Sequence, residues 1–164
     1  GIENSESLHN TFRLQYTETL AKNLQEVEVT ILPGVRQLID ALVAMHNVTL
    51  GLVTGNYEET GCMKVEAAGF DSSLFVANAW GTDGLIRKDL PPHAIQQSKD
   101  TNVILIGDTI HDVTSGKSAG CRVIAVCTGS HDHATLAASE PDLLLEDLSD
   151  TEAVLHWICN IHNQ

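Results

Sequence analysis

A chain of 164 residues, 43% of them hydrophobic, can bury one ordinary core and requires no second domain. Nine basic residues against 22 acidic ones give a formal charge of -13, which repels phosphate backbones and anionic headgroups and argues against nucleic-acid and membrane partners. A protein this acidic that handles phosphate needs a cation as mediator. No stretch reaches the roughly 18 to 20 apolar residues of a membrane span, and the segment after Gly1 has neither a basic region nor an apolar signal core. Cys62, Cys121, Cys127 and Cys159 show no C-x-x-C spacing, so a reducing, cytoplasmic setting is expected.

Residues 5–25 carry Leu8, Phe12, Tyr16, Leu20 and Leu24 four apart, which predicts an amphipathic helix, and "EVEVTIL" (26–32) alternates like a short strand. From Pro33 onwards Val35, Leu38, Ile39, Leu42 and Val43 follow the spacing of a core-facing helix. The pattern continues with a strand at 48–53, a helix at 58–68 ended by Gly69, a strand at 74–78 and a helix at 91–99 with proline at its start. Then come a strand at 103–106, a helix at 111–119 ended by Gly120, a strand at 122–127, a helix at 133–139, a strand at 142–145 and a helix at 151–161. Short continuous strands of Val, Ile and Leu alternating with helices predict an α/β fold with a doubly wound parallel sheet. Ligands in such sheets bind beyond the C-terminal strand ends.

Three features gather there. In "LVTGN" Thr54 offers a hydroxyl, and Gly55 and Asn56 let backbone N–H groups face an anion before the next helix; a plain strand-to-helix turn is the alternative. In "VILIGDTIHDVTSG" Asp108 and Asp112 stand one helical turn apart, as oxygen ligands for Mg2+ would. The alternative is that Asp108 caps the helix and Asp112 is a first-turn carboxylate favoured by the dipole. Lys64, Arg87 and Lys88 are candidates for the positive charge a phosphoryl group requires. His111 lies between the aspartates, while His131 and His133 lack a third ligand and read as loop residues. Trp80 and Trp157 read as packing or rim residues. No G-x-G-x-x-G follows the first strand, which weakens a dinucleotide-binding reading.

The segments "LPGVRQLIDAL", "LVTGN", "GTDGLIRKDLPPHAI", "IGDTIHDVTSGKSAGCRVIAVCTG" and "PDLLLEDLSDTEAVL" together resemble the haloacid dehalogenase superfamily, in its phosphoglycolate phosphatase-like branch. The resemblance covers about residues 30–160 and implies a Rossmann-like core over 31–164, with residues 1–30 as the remnant of a helical cap. It further implies that Thr54 and the backbone after it bind the phosphoryl group and that Lys64 or Arg87 stabilises its oxygens. Asp108 would ligate Mg2+, and Asp112 would ligate the ion or hold its water. The substrate would be a small phosphorylated metabolite. The family's nucleophile is the first aspartate of an Asp-x-Asp motif on a first strand lying between the Thr54 and Asp108 strands. No Asp-x-Asp occurs here. The chain is therefore expected to be the larger part of a longer phosphatase and inactive alone, its sheet completed by an upstream segment, by self-association, or by 27–32 as a substitute strand. A non-catalytic module that binds Mg2+, phosphate or a partner protein is the rival expectation.

Overall fold

The computed structural model describes residues 6–99 and 102–160. Within them lie helices α1 (Glu6–Glu26), α2 (Val35–Val43), α3 (Glu58–Ala67), α4 (Leu90–Ser98), α5 (Ile110–Ser118), α6 (His133–Ala138) and α7 (Thr151–Asn160). Strands β1 (Ile104–Gly107), β2 (Arg122–Val126) and β3 (Leu143–Leu145) form a parallel sheet in the order β1-β2-β3. Ile104 stands opposite Arg122 and Ile124 opposite Leu143. Side chains alternate across β2. Ile124 and Val126 meet Leu38 and Leu42 of α2 and Val154 of α7, while Val123 and Ala125 meet Leu105, Val113 of α5 and Leu136 of α6. The sheet is thus covered on both faces, as the apolar strand runs predicted. Cys62, Cys121, Cys127 and Cys159 are free thiols, and burial pushes the Cys121 thiol up. No described helix is long and apolar enough to cross a membrane.

The segments expected as strands at 48–53 and 74–78 pair with each other but not with this sheet. Leu50 bridges Phe75 and Val53 bridges Ala79, both in parallel. Three steps on one side face four on the other, so the pairing contains a bulge. Val76 and Ala77 both donate to the Leu50 carbonyl, at 2.9 and 3.3 Å, and the Leu52 N–H donates to the Asn78 side chain at 2.9 Å. The extra residue breaks the ladder into isolated bridges. The strands expected at 48–53 and 74–78 are therefore corrected to a bulged pair of bridges, which shares no ladder with β1-β2-β3 among the described residues.

The strand expected at 26–32 is also corrected. Residues 28–32 are irregular, and Val27 and Leu32 are 63% and 45% exposed. Their alternation meets no strand edge, so nothing rewards an extended pairing. Leu32, Pro33 and Val35 instead wall an open groove of about 270 Å³ with Ile106, Asp108 and Val126.

Helix α1 forms where expected but buries no residue, and Phe12 is 58% exposed. Its hold on α3 is polar. Arg13 donates to both Glu59 oxygens at 2.5 and 2.6 Å, with its guanidinium 4.9 Å from the Tyr57 ring centroid. The hydrogen-bonded Arg13 holds the Glu59 carboxyl down at about 2. A folded-state value below the ordinary 4.5 means the pair's contribution is full above about pH 4.5 and is lost as pH falls towards 2. Both side chains are more than a third exposed, which keeps the contribution small. Protection of the α1 amides, taken relative to the intrinsic exchange rate at each pH, should fall over that window ahead of α2 and α7, and Arg13→Ala should remove this change in protection. Exchange in α1 that tracks the core throughout would contradict this.

Gly34, at φ 79, opens α2 in a conformation L side chains rarely adopt, and a Cβ there would lie 1.8 Å from the Leu148 carbonyl oxygen. Gly34→Ala should therefore cost at least about 1–3 kcal/mol of backbone strain, read as a lower melting temperature.

Candidate functional site

Thr54 ends its paired segment with its N–H on the Ala79 carbonyl at 3.0 Å. Its hydroxyl oxygen accepts from the Asn56 N–H at 3.2 Å and from the Asn56 side-chain amide at 2.6 Å. That changes one expectation, because the Asn56 N–H turns to Thr54 and not outwards to an anion. The Asn56 side-chain oxygen accepts from Lys64 Nζ at 2.7 Å. Lys64 reaches back from α3 and also donates to the Tyr16 hydroxyl at 3.4 Å. Tyr57 precedes α3 and gives no side-chain cap, so the start of this helix is not closed by its own N-cap residue.

At the other strand end the two aspartates differ. The N-cap of α5 is Thr109, which corrects the expectation that Asp108 caps the helix. Thr109 and Asp112 form a capping box, in which each side chain serves the other's backbone N–H. Asp112 is 5% exposed, and its Oδ2 accepts from Thr109 N at 3.1 Å, Thr109 Oγ1 at 2.8 Å and Asp108 N at 3.3 Å. Its Oδ1 accepts from Arg87 Nη2 at 2.6 Å. Both oxygens are engaged. The half-buried Asp108 carboxylate, by contrast, accepts no hydrogen bond from the described residues. The loop after β2 passes close to it, since a Cβ at Gly129 would come 2.2 Å from Asp108 Oδ2.

Arg87 joins the two ends. The same Nη2 that meets Asp112 donates to the Val53 carbonyl at 3.2 Å, one residue before Thr54. Thr54, Asn56 and Lys64 thus form one cluster, and Asp108 and Asp112 another, with Arg87 between them. Lys88 and His111 are exposed and belong to neither cluster among the described residues. His131 lies in a loop and His133 starts α6, whose N-cap is Asp132. Trp80 is buried and its ring packs where a Gly61 side chain would be.

A hard divalent cation is commonly held by one or two carboxylates with retained waters. Asp108 fits that chemistry as an unengaged carboxylate. Asp112 offers no such free oxygen, and no group of three or more His, Cys, Asp or Glu side chains among the described residues is arranged to hold a metal. Sequence reasoning missed Thr109, Tyr16 and Gly129. The T-x-x-D spacing of 109–112 is a legible capping signal; the contact of Tyr16 with Lys64, 48 residues apart, has none.

Thr109→Ala should cost about 1 kcal/mol as a lost cap. Arg87→Ala should cost more, about 2 kcal/mol, because it leaves the buried Asp112 carboxylate without its cation. Arg122→Ala, which breaks a more exposed pair with Asp142, should cost at most about 1 kcal/mol in the same denaturant series. Equal losses at Arg87 and Arg122 would contradict the bridging role.

Residues 85–151 match the hydrolase-like family described as HAD-hydrolase-like. The chain is 27% identical over 128 residues to a pyrophosphatase PpaX of Oceanobacillus iheyensis, covering 74% of this chain and 58% of that protein. It is 26% identical over 144 residues to a phosphoglycolate phosphatase of Photorhabdus laumondii, covering 82% and 60%. In structure it is similar to a chain described as a predicted phosphoglycolate phosphatase from Haemophilus somnus, with TM-score 0.70, 22% identity and coverage of 93% and 69%. A hydrolase from Pseudomonas syringae gives TM-score 0.73 at 17% identity, covering 94% and 75%. The chain spans about half the length of the sequence relatives it matches.

Proposed function

We propose that this chain, which belongs to the haloacid dehalogenase superfamily, is the greater part of an Mg2+-dependent phosphatase of small phosphorylated metabolites. The observation that carries this reading is the Arg87 bridge, which ties the Thr54 turn to the Asp112–Asp108 helix start at the ends of parallel strands. Relatives named pyrophosphatase and phosphoglycolate phosphatase favour a phosphorylated small molecule as substrate.

In this reading the Thr54 hydroxyl and the Gly55 backbone bind the phosphoryl oxygens, and Asn56, whose own N–H is spent on Thr54, supports them from behind. Lys64 and Arg87 offset their charge. Lys64 has neutral partners in Asn56 and Tyr16, whereas Arg87 shares its charge with Asp112. Asp108 would hold Mg2+, which supplies charge neutralisation at the phosphoryl oxygens. Asp112 acts behind it, fixing the Asp108 backbone and Arg87 and not lending a free oxygen.

The attacking group is the family's Asp-x-Asp aspartate, a motif these 164 residues do not contain. An oxygen of that aspartate bonds phosphorus as the ester oxygen leaves, and water then cleaves the acyl phosphate. The chain alone therefore binds but does not turn over, and its working partner is a segment that carries this aspartate. The open edge of β1 is where such a strand, or a second copy, would add. A cytoplasmic setting accords with the four free thiols. The lack of Asp-x-Asp favours one second reading, a non-catalytic module that binds Mg2+ and phosphate.

A gene product that carries the Asp-x-Asp segment should hydrolyse an aryl phosphate in Mg2+, and chelation should abolish the activity. Asp108→Ala should lower kcat by about a hundredfold or more. Undiminished hydrolysis in Asp108→Ala would overturn the assignment. No hydrolysis by any form, with phosphate still bound in Mg2+, would favour the second reading.

A further inference from the structure

Two neighbouring groups in the Thr54 cluster, the threonine hydroxyl and the Lys64 ammonium, share a single intermediary. We infer that Asn56 is a positioning residue whose side-chain amide turns the Thr54 hydroxyl proton outwards and holds the Lys64 ammonium beside it, as two donors aimed at one anion. This rests on the phosphate-binding reading of the Thr54 turn.

A hydroxyl has two lone pairs and one proton. Thr54 Oγ1 spends its acceptor capacity on Asn56, through the backbone N–H at 3.2 Å and the side-chain amide at 2.6 Å. Its own proton meets no acceptor among the described residues, so it is left for an incoming oxygen. The amide cannot be reversed. Its oxygen receives Lys64 Nζ at 2.7 Å, and a flip would set an NH2 group against an ammonium, donor against donor.

Lys64 is constrained by the same arrangement. Of its three N–H bonds one goes to Asn56 and one to the Tyr16 hydroxyl at 3.4 Å, leaving one free. The partners are neutral, so the charge is not cancelled in place. Asn56 thereby converts two rotatable donors into a fixed pair, and α1 reaches the site through Tyr16. Aspartate, though nearly the same shape, cannot do this. Its oxygens only accept, so it would keep Lys64 but draw the Thr54 proton inwards.

The test is a double-mutant cycle on the affinity of the 164-residue chain for inorganic phosphate in Mg2+, read by calorimetry. Asn56→Ala and Thr54→Val should each weaken binding about tenfold, the loss of one hydrogen bond to an anion. The double variant should fall clearly short of the roughly hundredfold loss to which independent effects would multiply, because part of the Asn56 effect runs through Thr54 and only the part that runs through Lys64 remains in Thr54→Val. Asn56→Asp, a nearly isosteric change, should match or exceed the Thr54→Val loss and covers the case in which Asn56→Ala fails to fold. A readout that needs no phosphate is the Lys64 ammonium resonance, whose hydrogen exchange should quicken in Asn56→Ala. Phosphate affinity in Asn56→Ala equal to wild type, with Thr54→Val weakened, would overturn the inference and leave the function standing. So would multiplicative losses. Affinity unmoved by Thr54→Val, or absent in wild type, would overturn the phosphate-binding reading and the inference with it.

Discussion

The Arg87 guanidinium holds a carboxylate that is almost fully withdrawn from water and, with the same nitrogen, a backbone carbonyl of a separate strand pairing. A buried carboxylate costs several kcal/mol unless a cation and hydrogen bonds compensate it. Asp112 collects both kinds of partner, and in doing so fixes where Arg87 must be. Because Arg87 also reaches Val53, the position of the Thr54 turn follows from the position of the acidic helix start. The sheet does not supply this link, since β1 and the 50–53 segment share no ladder.

The same constraint divides labour between two like residues. Asp112 is consumed by structure: a capping box on one oxygen and an ion pair on the other. Asp108, four residues earlier, is carried on that scaffold by its backbone N–H while its carboxylate stays unengaged. A rigid support beneath a free donor suits a site that must meet a cation. It also suits a chain of formal charge -13, in which phosphate can approach only where positive charge has been gathered.

Much of the fold was legible because it is local. The core helix at 35–43 announced itself by its spacing, and β2 by an unbroken apolar run. The strand ends bearing Thr54 and Asp108 followed from the alternation of strand and helix. Where the reading failed, a non-local term had decided. Residues 26–32 alternate correctly but face no edge. The segments at 48–53 and 74–78 are apolar enough for strands, yet a single extra residue before Ala79 reduces them to bridges. The stripe on α1 predicted burial, but the helix rests on α3 through Arg13 and Glu59 and leaves Phe12 in solvent. At the site, residue types were informative and roles were not. The contact of Asp112 with Arg87, 25 residues away, has no signal in the sequence.

Thermodynamic linkage between Mg2+ and phosphate reads whether the Thr54 turn and the Asp108 helix start are one site. If they are, Mg2+ and phosphate must strengthen each other's binding by the same factor. Phosphate affinity measured across a series of Mg2+ concentrations should rise with Mg2+ in the wild type and lose that dependence in Asp108→Ala. Phosphate affinity independent of Mg2+ in the wild type would contradict the account.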